Sequence, residues 1–217
     1  MAYDVETGRR AQQKRAHRQA ILAAAERALG ERGDVAVDEI AALAGLAKGT
    51  VYNYFGDKAA LVETVSQAVQ QRVIDQVGQA TAHVESPQTR IAIVLCALIK
   101  LALSDPGQAN IIRDCLNHSS QSFGLPRLLE LELRRMASAG ALAVEDVRPS
   151  LGLILSTARA AMKQAIAGSQ ADRVEAAALV ALCMRAVDRS AERELQAALC
   201  ELDLSRDVLS RPGVALS

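Results

Sequence analysis

The sequence predicts an all-helical protein, on the evidence of its composition and of its hydrophobic pattern. Alanine and aliphatic residues supply nearly all of its apolar half, Trp is absent, and only five prolines occur in 217 residues. That mixture favours helices over strands. Apolar residues recur at three- and four-residue spacing along most of the chain, and glycine or proline marks the interruptions. A chain of this length and apolar content is expected to form one or two domains with a substantial core.

The first predicted helix covers residues 9 to about 32, and Gly33 follows it as a stop signal. Its apolar positions, Ile21, Leu22 and Leu29 among them, have helical spacing. The formal net charge of the chain is zero, but the start of this helix is strongly basic and lacks acidic residues. We call this segment the basic arm; it contains Arg9, Arg10, Lys14, Arg15 and Arg18.

Two short helices joined by a glycine turn are predicted next. The stretch VDEIAALA places Ile40 and Leu43 on one face, Gly45 interrupts it, and KGTVYNYF resumes the pattern with Val51 and Phe55. Helix pairs of this kind occur in any helical bundle, so the turn by itself indicates little about function.

The remaining helices are predicted from capping residues and periodicity. Asp57 caps a long fourth helix that continues to about residue 81, and the pairs Ser86–Pro87 and Asp105–Pro106 begin two more. Further helices are expected at 126–139, at 148–168, from 169 or 171 to about 188, and at 190–202. We divide the chain into a small unit at 9–60, a larger unit at 61–204 and a tail at 205–217.

The second short helix carries an outward face suited to DNA. Lys48, Gly49, Thr50, Tyr52 and Asn53 offer hydrogen-bonding groups on short or rigid stems, and the glycine permits close approach of the backbone. Such a helix fits a major groove about 12 Å wide. We expect the Tyr52 and Tyr54 hydroxyls and the Lys58 ammonium to contact phosphates, with Phe55 as a core anchor. The alternative is that both tyrosines are ordinary bundle aromatics.

Residues 17–65, HRQAILAAAERALGERG...VDEIAALAGLAKGTVYNYFGDKAALVETV, resemble the DNA-binding domain of the tetracycline-repressor (TetR) family of bacterial transcription regulators. The resemblance implies that the third helix reads the major groove. It places Lys48, Gly49, Thr50 and Asn53 near bases or sugar, and Thr50, Tyr52, Tyr54 and Lys58 on phosphates. We therefore predict an N-terminal three-helix helix-turn-helix DNA-binding domain followed by a larger C-terminal helical domain for ligand binding and dimerisation.

Two positions depart from the family pattern, and the basic arm has two interpretations. Ala36 and Ala47 stand where members often carry hydroxyl residues that cap the second and third helices, and each missing cap costs about 1 kcal/mol. Asp34 or Asp38 is expected to compensate in part at the second helix. The basic arm lies where this family directs an arm towards the duplex, so Arg15 and Arg18 are candidate DNA contacts; a solvated helix face is the alternative.

The C-terminal domain is predicted to form a homodimer. The segment ADRVEAAALVALCMRAV is apolar over much of its circumference, which favours a partner, and with helix 148–168 it resembles the TetR dimerisation pair. A two-fold dimer presents two recognition helices about 34 to 36 Å apart and so requires a nearly palindromic operator. Packing inside a single chain is the alternative for the candidate seam, which contains Leu151, Ile154, Leu155, Leu179, Leu182 and Val187.

The resemblance also implies a ligand cavity among the middle helices, whose occupancy shifts the fourth helix. The polar cluster RDCLNHSSQSF is the candidate pocket wall, with Arg113, Asn117, His118 and Ser119. Asp114 and His118 share a helix face, but two groups do not form a metal site, and a helix-end histidine is the alternative. Aromatic residues are nearly absent outside the first unit, which favours an aliphatic or small polar effector over a flat cationic one.

Other classes of protein find little support. No catalytic triad, paired carboxylates or phosphate-binding glycine loop is recognisable, so we predict neither an enzyme nor a bound cofactor or metal. Four cysteines without a CxxC pair fit free thiols in a reducing cytoplasm, either buried or acting as a thiol sensor. The apolar run at 91–99 is short for a membrane span, so we expect no membrane partner. The alternative to a DNA-binding regulator is a helical ligand-binding or interaction module that has lost DNA affinity.

Overall fold

The computed structural model describes residues 2–118, 124–142 and 146–187, and all regular secondary structure in those ranges is helical. The helices are α1 Ala2–Arg32, α2 Val37–Leu43, α3 Lys48–Phe55, α4 Lys58–Ala80, α5 Pro87–Ser104, α6 Pro106–His118, α7 Gly124–Ser138, α8 Arg148–Ala167 and α9 Gln170–Val187. The predicted all-helical fold class is confirmed. The helix predicted at 190–202 and the tail at 205–217 lie outside the described residues.

Capping residues fix the starts of several helices. Asp57, Ser86 and Asp105 each accept a hydrogen bond from the backbone N–H three residues ahead, at 2.8, 3.2 and 3.0 Å. At α9, Ser169 and Asp172 form a reciprocal capping box, in which each backbone N–H donates to the other side chain. The start of α1 differs from the sequence expectation: the helix begins at Ala2, seven residues earlier. No proline lies between residues 2 and 9 to stop it.

Contacts along the chain define two compact units, Met1–Val69 and Gln70–Ser217, and the division falls inside α4. The smaller unit has its own core, to which α1, α2, α3 and the first half of α4 each contribute buried side chains. They include Ile21, Leu29, Ile40, Val51 and Leu61. α3 is thus held in place by a core that it shares with α1, α2 and the first half of α4.

The larger unit is organised around α5, which contacts α6, α7, α8 and α9. Ile91, Leu95, Leu98 and Ile99 on this helix are almost completely buried. By length and composition α5 also qualifies as a membrane span, but 44% of its residues are buried inside the protein. A core helix of a globular domain has the same composition, so we interpret α5 as the centre of the C-terminal core.

Candidate nucleic-acid interface

The turn between α2 and α3 is closed by backbone hydrogen bonds. Gly45 adopts a φ of 66°, a left-handed conformation that favours glycine, and the Leu46 N–H donates to the Ala41 carbonyl at 2.9 Å. Val51 points into the core with 2% of its surface exposed. This turn fixes α3 against α2 and leaves the opposite face of α3 free of the core.

The inward face of α2 differs from the sequence expectation. Val37, Ile40 and Ala41 are buried, whereas Leu43 is 41% exposed. Spacings of three and four residues place the first three on one side of a helix, and Leu43 falls outside that stripe. Phe55 is only half-buried rather than a core anchor, because it ends α3 at the edge of the unit.

The outward face of α3 brings together most of the residues that the sequence assigned to base contact. Lys48, Gly49, Tyr52 and Asn53 are all exposed, and Thr50 is half-buried beside them. A methyl group built on Gly49 would meet no atom within 4 Å, so the helix surface is open at this point. The arrangement leaves hydrogen-bonding groups and a low ridge available to a partner that approaches along the helix.

Two aromatic contacts tie α1 to the end of α3. The rings of His17 and Tyr54 meet edge to face, with centroids 6.4 Å apart at 77°. The Arg18 guanidinium lies over the Phe55 ring, 5.4 Å from its centroid. Sequence reasoning missed His17, although its place inside the basic arm, beside Arg18, is visible in the printed sequence. Arg15 is exposed, as is the rest of the basic arm.

The two lysines of the predicted interface are both paired with aspartates. Lys48 Nζ lies 2.6 Å from Asp38 Oδ1, and Lys58 Nζ pairs with Asp34 Oδ1. The hydrogen bond from Lys58 lowers the pKa of the Asp34 carboxyl below its ordinary value, and the hydrogen bond to Asp38 raises the pKa of Lys48. From the sequence we expected Asp34 or Asp38 to compensate for the missing cap of the second helix. Their pairing with lysines was not predicted.

The residues before α2 and α3 lack capping side chains. Ala36 and Ala47 occupy the N-cap positions in extended conformations, with ψ near 147° and 146°, and neither contributes a side-chain hydrogen bond. The backbone at both positions therefore has the conformation of a serine or threonine N-cap, but the alanine side chain has no hydroxyl to accept the capping hydrogen bond.

The predicted pocket residues are only partly described. The Arg113 guanidinium lies 3.6 Å from the Asp114 carboxylate, and its side chain is 29% exposed. Asn117 and His118 end α6, but their side chains, like Ser119 as a whole, lie outside the description. Across the same helix end, Arg159 of α8 donates to the Leu116 carbonyl at 3.1 Å. The assignment of this cluster to a pocket stays a prediction.

The predicted dimer seam divides into buried and exposed residues. Leu151, Ile154 and Leu155 are buried within the single chain, which was the alternative left open for them. Leu179 is half-buried, and the side chain of Val187 lies outside the description. Among the described side chains of α8 and α9, the large apolar ones that are exposed are Leu153, at 44%, and Leu182, at 60%. Leu153 was not singled out from sequence, because helical periodicity does not show which of two apolar faces turns inward.

Metal and thiol chemistry receive little support from the described part of the chain. No group of three or more His, Cys, Asp or Glu residues is arranged there to hold a metal ion. Cys96 and Cys183 are buried and Cys115 is half-buried, all as reduced thiols, while Cys200 falls outside the description. Burial raises the pKa of the Cys183 thiol, and a hydrogen bond with Thr157 acts in the opposite direction.

Comparison with known proteins places this geometry in context. The family model for bacterial regulatory proteins of the tetR family matches residues 21–65. No curated protein gives a significant match to the sequence. Among solved structures, RolR in complex with resorcinol is 23% identical, with a TM-score of 0.64 over 93% of this chain and 97% of that chain.

Two further structures share the fold. A TetR-family transcription regulator from Marinobacter aquaeolei VT8 is 18% identical, with a TM-score of 0.59 over 82% of this chain and 98% of that chain. LfrR from Mycobacterium smegmatis, in complex with proflavine, is also 18% identical, with a TM-score of 0.51 over 81% and 96%. At these identities the likeness extends to the fold.

Proposed function

Because its N-terminal domain belongs to the tetR family of bacterial regulatory proteins, we propose that this protein is a homodimeric transcription regulator in the cytoplasm. It binds a nearly palindromic DNA operator as a repressor, and a small molecule releases it. The observation that carries this proposal is the outward face of α3, where Lys48, Gly49, Tyr52 and Asn53 are exposed together on a helix fixed by its inward face.

Base reading is assigned to the exposed polar groups of α3. The Asn53 amide donates and accepts, which suits the major-groove edge of adenine, and the Lys48 ammonium donates to acceptors of guanine. The open space at Gly49 lets the helix backbone approach base edges and sugars closely. Thr50, being half-buried, is at the margin of this face, where a hydroxyl reaches either a base or the adjoining phosphate.

Phosphate contacts are assigned to groups around the ends of α3. Tyr52 and Tyr54 lie on this helix and each carries a hydroxyl, and Lys58 begins α4. Arg15 and Arg18 of the basic arm add sequence-independent attraction. The His17 ring of α1 packs against the Tyr54 ring of α3, and the Phe55 ring holds Arg18 of α1 beside the end of α3, so these two contacts are partly positioned before DNA arrives.

Dimerisation is assigned to α8 and α9. Leu153 and Leu182 are large apolar side chains exposed on two helices that pack against each other. An isologous interface built on these helices would duplicate the recognition helix by two-fold symmetry. The operator is then expected to have half-sites one helical turn apart.

Release by a small molecule is proposed for the C-terminal unit. RolR and LfrR, which share the fold, were solved with resorcinol and proflavine respectively. Any effector of this protein releases DNA only to the extent that it binds the conformation incompetent for DNA more tightly. Because α4 extends from Lys58 to Ala80, one continuous helix carries a predicted phosphate contact at one end and belongs to the C-terminal unit at the other.

Selection from a random duplex pool tests the DNA assignment. We expect an enriched palindrome that wild type binds tightly and that a Tyr52→Ala, Lys58→Ala double variant binds at least about tenfold more weakly in fluorescence anisotropy. Lys163→Ala, which removes an exposed lysine of α8, is the matched control and should bind as wild type does. Failure to enrich any sequence at low salt, with the dimer verified, would contradict the proposal.

A second candidate is a helical ligand-binding or interaction module with little DNA affinity. The absent hydroxyls at Ala36 and Ala47 favour it, because both N-cap positions lie beside the predicted interface and offer DNA no side-chain contact. Salt separates the two functions. Operator binding weakens steeply as salt rises, whereas binding of a neutral ligand or an apolar partner changes little.

A further inference from the structure

The lysines assigned to DNA are held by carboxylates of their own unit. Lys48 is the first residue of α3 and pairs with Asp38, while Lys58 is the first residue of α4 and pairs with Asp34. The Asp34 and Asp38 side chains are 91% and 65% exposed. Neither carboxylate is therefore buried in the core, and each lies within reach of a cation that the DNA phosphates would also attract.

The charge of the helix-turn-helix segment runs against DNA binding. Residues 34–58 contain four carboxylates and only two lysines, so the segment is net negative. A duplex attracts proteins through Lys and Arg contacts that release condensed counterions. The basic arm of α1 carries five exposed cationic side chains, whereas the two lysines of the helix-turn-helix segment are already paired with carboxylates.

We propose that Asp34 and Asp38 compete with DNA phosphates for Lys58 and Lys48, so that DNA must displace a carboxylate at each lysine before it gains that contact. This inference rests on the proposed DNA-binding function. Each displaced carboxylate recruits a cation from solution, which cancels part of the counterion release that drives binding. The affinity for DNA is therefore lower, and depends less on salt concentration, than the number of lysines implies.

This competition removes the largest share of the binding free energy when the DNA has an arbitrary sequence. Attraction to phosphates supplies nearly all of that binding, whereas an operator complex also gains contacts with base edges. Asp34 and Asp38 thus restrain the protein on DNA that α3 cannot read, and the restraint is built into the free protein rather than supplied by an effector.

Neutralising the carboxylates tests the proposal. Anisotropy titrations of a short labelled mixed-sequence duplex across a salt series compare wild type with Asp34→Asn, Asp38→Asn and the double variant. Each substitution should tighten binding about two- to fivefold at low salt and steepen the slope of log K against log salt by up to about 0.9. Glu63→Gln is the matched control, because Glu63 is an exposed carboxylate of the same unit that accepts a hydrogen bond from Gln67.

A second background separates competition for the lysine from a general change of charge. In a Lys58→Gln protein, Asp34→Asn should no longer change the slope of log K against log salt. In a Lys48→Gln protein, Asp38→Asn should likewise have no effect on that slope. The inference would be overturned if neither aspartate substitution changed the salt slope, or if Glu63→Gln tightened DNA binding as much as they do. It would also be overturned if an aspartate substitution still tightened binding in the protein that lacks its lysine partner. If wild type and every variant fail to bind duplex DNA while circular dichroism shows them folded, the proposed function fails as well.

Discussion

Arg90 on α5 donates from its Nε to Glu132 Oε1 on α7 at 2.9 Å, and Glu132 is only 3% exposed. The same guanidinium donates from Nη1 to the carbonyls of Thr81, at 2.8 Å, and Val84, at 3.3 Å. These two residues follow the end of α4, so one side chain ties that segment to α5 and α7. A buried carboxylate with a multiply bonded arginine is costly to disrupt, because either partner alone is left without compensation.

We therefore expect Arg90→Ala to lower the free energy of unfolding by about 2 to 4 kcal/mol. Arg134→Ala, which removes an exposed arginine from Glu130 on α7 and leaves that carboxylate paired with Arg127, is the matched control and should change stability little. Urea denaturation followed by circular dichroism compares them. Equal losses in the two variants would show that Arg90 contributes no more than a surface arginine.

Gly49→Ala is expected to change stability and DNA binding in opposite directions. Alanine is the better helix former and has open space here, so the smaller unit should gain about 0.5 kcal/mol. The added methyl group blocks close approach to DNA, so the affinity for the selected duplex should fall at least about tenfold. Gly78→Ala, also in open space but on the part of α4 that belongs to the larger unit, should raise stability by a similar amount without lowering DNA affinity. Unfolding curves and anisotropy give the two readouts, and undiminished DNA affinity in Gly49→Ala would argue against the docking of α3.

Ala47→Ser should supply the missing cap of α3. The backbone of Ala47 is already extended, so the new hydroxyl is placed to accept from an N–H of the first turn, and stability should rise by about 1 kcal/mol. Ala42→Ser, at an exposed position inside α2, is the control and should be neutral or slightly destabilising. A thermal melt in which both variants behave alike would contradict the capping argument.

Leu182→Glu combined with Leu153→Glu is expected to weaken the proposed dimer at least about a hundredfold, because both charges would enter the apolar interface proposed for α8 and α9. Leu131→Glu changes a leucine of similar exposure, 43%, on α7 and should leave the dimer intact. Sedimentation velocity over a concentration series measures the association. A dimer that survives the α8 and α9 substitutions would relocate the interface.

Cys183 should make stability decrease at alkaline pH. Burial raises the pKa of its thiol in the folded protein, so the unfolded chain loses this proton first, at about pH 8.5. The contribution is complete below that pH and is lost as pH rises through the folded-state pKa. Urea unfolding between neutral and alkaline pH should therefore give a flatter profile for Cys183→Ala than for wild type. Cys115→Ala, at a half-buried thiol, is the comparison, and equal profiles for all three proteins would contradict the prediction.

The sequence by itself determined the helices and the candidate recognition surface, because both depend on interactions between residues close along the chain. Caps at Asp57, Ser86 and Asp105 act within three residues, and the stripes that bury Val51 and Leu61 repeat every three or four. The order of residues in the helix-turn-helix segment likewise supported the TetR resemblance, which the family model confirms over residues 21–65.

Only the tertiary structure decided which charges meet and which apolar faces turn inward. Lys58 pairs with an aspartate 24 positions earlier, and Arg90 with a glutamate 42 positions later. It also buried Leu151 while leaving Leu182 exposed, although both lie on apolar helices. Helical periodicity fixes which residues share a face, but the packing of helices against one another fixes what that face meets.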